Sequence, residues 1–433
     1  MSDKKTMQVD ANPTKEFFIY MITRDIETKA AIVELIDNSI DGAKKIRKNN
    51  DYRGLKINIE FNKDHFIIKD NCGGFDIETA TKYAFKFGRP ADRESEKGFY
   101  TGLFGIGMKR ALFKLGGGFT VTSTTASTKF TIVVDVEEWK KNPEWFFPMY
   151  DVVENGSFSE SEQGTSITID KLYPEQSSNF SNRAFENMLF SYVEKYRSVE
   201  AENGLEIQIN RKVVSFFKEK LIENENVKCY RNYIKTETGK IRIIAGIAHN
   251  GIPENAGWYV FCNGRLVLFA DKTNNTGWGV EYRGYHPSLA SFRGYVYFES
   301  ESLFDLPWNT TKTGVDLSNK MYLVALEKMK EAVEQIGKAI SDVKKIYDVN
   351  NLDELPTVKD AAEVSIDHKT VHMISTSMDF CINEEAPKER MVNISFKEPE
   401  GKYETVKDYL KSKSKKELGE RLFDYFCEME GIE

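Results

Sequence analysis

Apolar residues recur at three- and four-residue steps from near Thr14, and again from about Glu27 to about Ile46, so two helices are expected there. The step then changes to two. Leu55, Ile57, Ile59 and Phe61 share one strand face, and a second run ends at Asp70 after the turn residues Asn62, Lys63 and Asp64, which predicts a hairpin. A helix is expected from about Asp76 to Phe85, then a polar stretch from Gly88 to Thr101, and a short helix in MKRALFKL. FTVTSTT, KFTIVVDV and TSITIDKL read as strands. After about Tyr173 the pattern gives a helix from Asn182 to about Glu200. Strand-like runs follow: LEIQIN, RKVVSFF, IRIIAGIAHN, GWYVFCNGRLVLF and GYVYFES. A long helix is expected from about Leu317 to Tyr347, with Met321, Leu323, Leu326, Met329, Val333 and Ile336 as its apolar positions. VNNLDELPTVKD reads as a linker, KTVHMIS and MVNISF as strand-like pieces, and the last segment as a helix with Leu418, Leu422 and Phe426 on one face.

Composition narrows the class. The chain has 433 residues, 60 basic and 67 acidic, for a net charge of -7. That length suits two or three domains, and the mild acidity argues against a protein that mainly coats nucleic acid. Five scattered cysteines with no CxxC pair predict reduced thiols rather than a disulfide frame or zinc site. The N-terminus has no apolar signal core, and no apolar run approaches the roughly 20 residues of a membrane helix. A cytoplasmic protein without membrane spans is therefore expected.

Three local signals carry candidate chemistry. In ELIDNSIDGA, Glu34, Asn38 and Asp41 fall on one helix face. Alone, the triplet reads first as a solvated polar stripe. It is also what a metal-bound phosphate site needs, with a carboxylate to orient water and an amide oxygen to ligate Mg²⁺. In IIKDNCGGFD, Asp70 sits where a strand gives way to Gly73 and Gly74. This reads either as an ordinary turn or as a carboxylate placed to accept from an adenine amino group. In GLFGIGMK, glycines precede an apolar helix with Lys109 in its first turn, which is a turn or an anion cradle. Neither the Walker pattern nor the dinucleotide fingerprint fits it.

Together and in this order, the motifs resemble the Bergerat-fold (GHKL) ATPases: gyrase, the large heat-shock chaperones, histidine kinases and MutL. The resemblance covers about Pro13 to Lys171, with Gly164 and Thr165 as a fourth motif beside the adenine aspartate. Cys72 departs from it, standing where the usual DxGxG has its first glycine. The resemblance implies an α+β fold: a Bergerat ATP-binding sandwich of helices on a mixed, mostly antiparallel sheet. It implies Glu34 as catalytic base, Asn38 as Mg²⁺ ligand and Asp41 as a further cofactor-site residue. Asp70, Gly74 and Thr165 would lie around the adenine. Gly102, Leu103, Phe104, Gly105, Ile106, Gly107, Met108 and Lys109 would lie at the phosphates, with Gly88 to Thr101 as a lid.

Downstream, LPWNTTKTGVD resembles the loop that MutL, gyrase and the microrchidia proteins use to send a lysine, here Lys312, to the γ-phosphate. VFCNGRLV, around Asn263, Gly264 and Arg265, resembles a strand of the same ribosomal-protein-like βαβ transducer domain. The expected division is an ATP-binding domain at 1–173, a transducer domain at 174–348, and a linker with a C-terminal region at 349–433. The implied function is an Mg-dependent, slow ATPase acting as an ATP-gated homodimer clamp in a DNA-linked or defence process. The alternatives are a chaperone-like ATPase with a protein client and a non-hydrolysing ATP sensor or scaffold. The lysines Lys407, Lys411, Lys413, Lys415 and Lys416 form either a basic surface for DNA or a solvated helix face.

Overall fold

The computed structural model describes residues 13–86, 106–196, 200, 203–215, 220–279, 284–309, 312–366, 371, 373–383 and 394–432. The described residues divide into two compact units, one within 1–345 and 349–384, the other within 346–348 and 385–433.

The larger unit begins with helices α1 (Lys15–Thr23) and α2 (Thr28–Ile46). The first sheet contains β1 (Lys56–Phe61), β2 (Phe66–Asp70), β3 (Gly118–Thr124), β4 (Lys129–Asp135), β5 (Met149–Val153), β6 (Gly164–Ile169), β7 (Glu206–Ile209) and β8 (Lys212–Val213). Their order is β5-β4-β3-β6-β2-β1-β7-β8, antiparallel except for the parallel pair β1–β7. The hairpin β1–β2 turns where Asn62 accepts from the backbone of Asp64 (2.8 Å) and His65 (3.2 Å), as short polar side chains do in turns. Alternation along β1 buries Ile57, Ile59 and Phe61, which join Ile32, Ile36 and Ile40 of α2 in one core. Each such side chain contributes about 1.5–3 kcal/mol on full burial.

Between β2 and β3, the expected 76–85 helix is shorter and irregular. It is α3 (Ile77–Thr79) followed by a turn of π-helix over Ala80–Ala84. Helix α4 (Gly107–Leu115) packs beside α2. Helix α5 (Val136–Lys141) follows β4, and α6 (Pro174–Ser181) and α7 (Arg183–Tyr196) add Phe180, Phe185, Leu189 and Val193 to the same core. The boundary expected at 173 therefore does not coincide with the edge of this layer. The parallel pairing of β7 onto β1 carries the first sheet to Val213.

The second sheet has the order β11-β12-β15-β13-β14. Its strands are β11 (Tyr230–Lys235), β12 (Lys240–Ile247), β13 (Gly257–Cys262), β14 (Arg265–Asp271) and β15 (Phe292–Glu299), after the short β9 (Lys220–Glu223) and β10 (Val227–Lys228). Strand β13 runs parallel to β15 and antiparallel to β14. The β13–β14 turn is Asn263-Gly264, with φ of 47° and 83°, the residue pair that a two-residue hairpin favours. The long helix α8 (Lys320–Ile346) brings Tyr322 against Phe298 of β15.

The stretch expected as a linker is packed instead. Leu352, Leu355 and Val358 are buried, Asn351 and Glu354 form a capping box, and Asp353 binds the ring of His249 at 3.0 Å. Beyond it, β16 (Ala362–Ser365) pairs with β9 and β17 (Cys381–Ile382) with β10. These partners hold the chain to residue 384 in the larger unit, a correction to the boundary expected at 349.

In the smaller unit, α9 (Glu400–Leu410) leads to α10 (Lys415–Glu430), where Leu418 is buried and Phe426 exposed. Lys407 and Lys416 pair with Glu404 and Glu420 on their own helices, the solvated-face pattern. The five cysteines are free. Among the described residues, no helix is long and apolar enough to cross a membrane.

Candidate active site

Helix α2 and strand β2 meet through a side chain that the motifs did not single out. Ser39 donates its hydroxyl to Asp70 at 2.6 Å. Asp70 also accepts from the backbone N–H of Cys72 (2.8 Å) and of Thr165 (3.2 Å). Burial raises its carboxyl above the ordinary range, and the three donors pull it back only in part. The chain turns away from Asp70 through Gly73 and Gly74, both in the left-handed region. At Gly74 a side chain is excluded twice over, since φ is 63° and a Cβ would sit 2.4 Å from the Thr124 carbonyl. Cys72 accommodates the missing glycine by turning into the core, where burial pushes its thiol up.

On α2, one residue before Ser39, Asn38 is exposed, and its side chain takes no hydrogen bond among the described residues. Asp41 is half-buried one turn on, close enough to act on the Lys44 ammonium. Glu34, one turn before Asn38, is 8 % exposed. Its two carboxylate oxygens each accept from Lys312 Nζ at 3.1 Å. The loop that delivers Lys312 is braced by a bridge between Trp308 and Val315, and by Asn309 N–H to the Gly314 carbonyl at 2.9 Å. At its tip Lys312 adopts φ 54°, an uncommon conformation for a long side chain.

Two more charges complete the cluster. Arg265, at the start of β14, donates to Asp37 and lies 3.6 Å from Glu34. Asp37 is also 4.0 Å from Lys312. Arg265 and Asp37 are each 2 % exposed and Lys312 is 3 %. Two acids from α2 therefore face two cations from beyond residue 260, with no net charge. Removing one member of such a buried pair costs about 3–5 kcal/mol, because the other is left uncompensated. Asp37 carries only a faint sequence signal, a third acid three residues from Glu34. Arg265 carries only its place after the Asn263-Gly264 turn.

The glycine-rich motif divides. Gly102, Leu103, Phe104 and Gly105, with the expected lid, lie outside the described residues. Ile106 and Met108 are half-buried at the start of α4. Gly107 sits directly on the catalytic candidate, and a Cβ there would come within 2.2 Å of Glu34 Oε2. Lys109 also lies at the start of α4. Its ammonium is buried and donates to the carbonyls of Ala84 (2.8 Å) and Lys86 (2.6 Å), where the helical segment after β2 ends. It caps two carbonyls at the end of that segment. Burial draws its pKa down to about 7.

The geometry thus joins an exposed amide, a buried acid held by a distant lysine, and a buried aspartate braced by neutral donors. Residues 26–165, which contain all of these except Arg265 and Lys312, match the family described as histidine kinase-, DNA gyrase B-, and HSP90-like ATPases. The stretch is a GHKL ATPase domain. A comparison with curated proteins gives no match. The match assigns ATP binding to the GHKL domain. Magnesium fits its residues. Asn38 offers an exposed amide oxygen that takes no hydrogen bond among the described residues, and Mg²⁺ needs few protein ligands because it keeps waters and substrate oxygens. Among the described residues, no cluster of three or more His, Cys, Asp or Glu side chains offers a dedicated metal cage.

Proposed function

We propose that this protein is an ATP hydrolase in which loss of the γ-phosphate switches the contact between α2 and the second sheet. Glu34 orients and deprotonates the attacking water. Asn38 would hold magnesium, which would supply positive charge at the phosphates. Asp70 accepts from the adenine amino group, with Thr165 beside it and Gly74 leaving room for the ring. The glycine-rich run GLFGIG at 102–107 receives the phosphates, and Asp41 lines the same side of α2 as Asn38. Lys312, from a region that would act as the transducer, contacts the γ-phosphate while it is present.

The observation that carries this reading is the Lys312–Glu34 contact, which brings a cation from 278 positions away onto the acid that the motif nominates. A non-hydrolysing sensor would have no use for Glu34 as a base. The output of the switch is pairing of two copies in the ATP state. Phe17, Tyr20 and Met21, exposed on one face of α1, support a surface for that pairing.

The test is turnover by purified protein. Wild type should hydrolyse ATP slowly with a magnesium requirement, and Glu34→Ala should lose at least about a hundredfold in kcat while still binding ATP. Turnover unchanged in Glu34→Ala would overturn the assignment. Duplex DNA added to the same assay reports whether DNA is the client.

A further inference from the structure

The ATPase reading gives Lys312 a partner in the γ-phosphate but leaves the second buried pair, Asp37 with Arg265, without a task. We propose that Arg265 is a positioning residue that keeps Lys312 exchangeable between Glu34 and the γ-phosphate by neutralising Asp37. This rests on the ATP-hydrolysis reading above and adds a residue to it.

The argument is a charge count in a closed space. Four ionic side chains lie within 4.0 Å contacts of one another, none more than a tenth exposed. Asp37 binds Arg265 directly and Lys312 only at 4.0 Å. Glu34 binds Lys312 at 3.1 Å and Arg265 at 3.6 Å. Among the described residues the pairing is therefore ordered, with a nearer cation for each acid, and the Glu34–Lys312 pair lies where the motif puts the phosphate. Without Arg265, Lys312 would be the cation within 4.0 Å of both buried acids among the described residues. Lys312 would be held between them, and a γ-phosphate would have to compete with both. Without Asp37, Arg265 would turn its charge to Glu34, the next acid within reach, and hold the base away from water. Both losses act through the pairing in a low-dielectric site, where an unmatched charge is strongly disfavoured.

The backbone supports the same division. Asn263 of the β13–β14 turn accepts from Ser300 N–H at 3.1 Å and donates to its carbonyl at 2.9 Å. The chain that continues from Ser300 carries the Lys312 loop. Arg265 and Lys312 thus come from one braced piece, so Arg265 can fix that piece on α2 while Lys312 changes partner.

The experiment compares Arg265→Gln, Asp37→Asn and the double variant in the full chain. It measures kcat, KM, affinity for a non-hydrolysable ATP analogue and Tm. Arg265→Gln should lose at least about tenfold in kcat and several-fold in analogue affinity, because Lys312 is then held by two acids. Asp37→Asn should lose at least about tenfold in kcat with analogue affinity within about threefold of wild type. The double variant, which removes one charge of each sign, should recover to within about threefold of wild-type kcat, a coupling that distant sites do not show. Should Arg265→Gln fail to fold, Asp37→Asn against the double variant carries the same comparison. Folded single variants with wild-type kcat, or a double variant no better than the singles, would overturn the proposal while leaving the ATPase reading intact. A wild-type protein that binds no ATP would instead remove the reading beneath it.

Discussion

The two ends of the candidate nucleotide site are built on different principles. Around Asp70 the carboxylate is held by one hydroxyl and two backbone N–H groups, with Ser39, Cys72 and Thr165 as donors. Around Glu34 the partners are full charges, Lys312 and Arg265, supplied by chain more than 220 positions away. Neutral donors fix a shape and suit a flat base that binds the same way before and after hydrolysis. Opposed charges form an arrangement that a new anion can rearrange, which suits the end where a phosphate is lost. In the proposed function, this difference would give recognition to one end and switching to the other.

Each end can be broken separately. The largest effect after Glu34→Ala is expected from Gly107→Ala, since its Cβ would stand 2.2 Å from Glu34 Oε2. The acid must shift, so kcat should fall by at least about tenfold, by way of overpacking strain of about 1–3 kcal/mol. Steady-state kinetics with Tm would show this, and an unchanged kcat would mean that Glu34 need not sit where it does. At the other end, Ser39→Ala removes one of three donors to Asp70. The expected cost is about 1 kcal/mol, seen as a lower Tm and several-fold weaker nucleotide binding with kcat nearly unchanged. A kcat effect as large as that of Gly107→Ala would erase the contrast between the ends.

The smallest effect concerns Lys109, which belongs to neither end. Between about pH 7 and its ordinary value of 10.5, Lys109 is neutral in the fold but charged in the unfolded chain. The unfolded state then binds the extra proton, so this group makes stability rise with pH across that window. Lys109→Met should flatten that rise in melts taken from pH 7 to 10. An unchanged slope would remove Lys109 from the account of stability, and a lost affinity for ATP would return it to the phosphates.

The same contrast governs what the sequence could tell. The Asp70 end is local. Turn residues, two adjacent glycines and a Gly-Thr pair on a neighbouring strand state its geometry within about a hundred positions, and only Ser39 escaped notice. The hydrophobic alternation that buries Ile57 and Ile59 likewise placed the first hairpin correctly. The Glu34 end depends on long-range pairing. A buried Asp37 looks like any helix-surface acid until Arg265 arrives across 228 positions. The carbonyls of Ala84 and Lys86 beside Lys109 are likewise long-range partners that a lysine at a helix start does not announce. Polar composition also disguised residues 349–360 as a linker, although Leu352, Leu355 and Val358 recur every three positions and are buried.

The central claim is that Lys312 senses the γ-phosphate. Its most direct test is the affinity of wild type and Lys312→Met for ADP and for a non-hydrolysable ATP analogue, by titration calorimetry with magnesium. The account predicts that wild type prefers the analogue over ADP by about tenfold or more and that Lys312→Met binds both alike. A variant that keeps the full preference would contradict it.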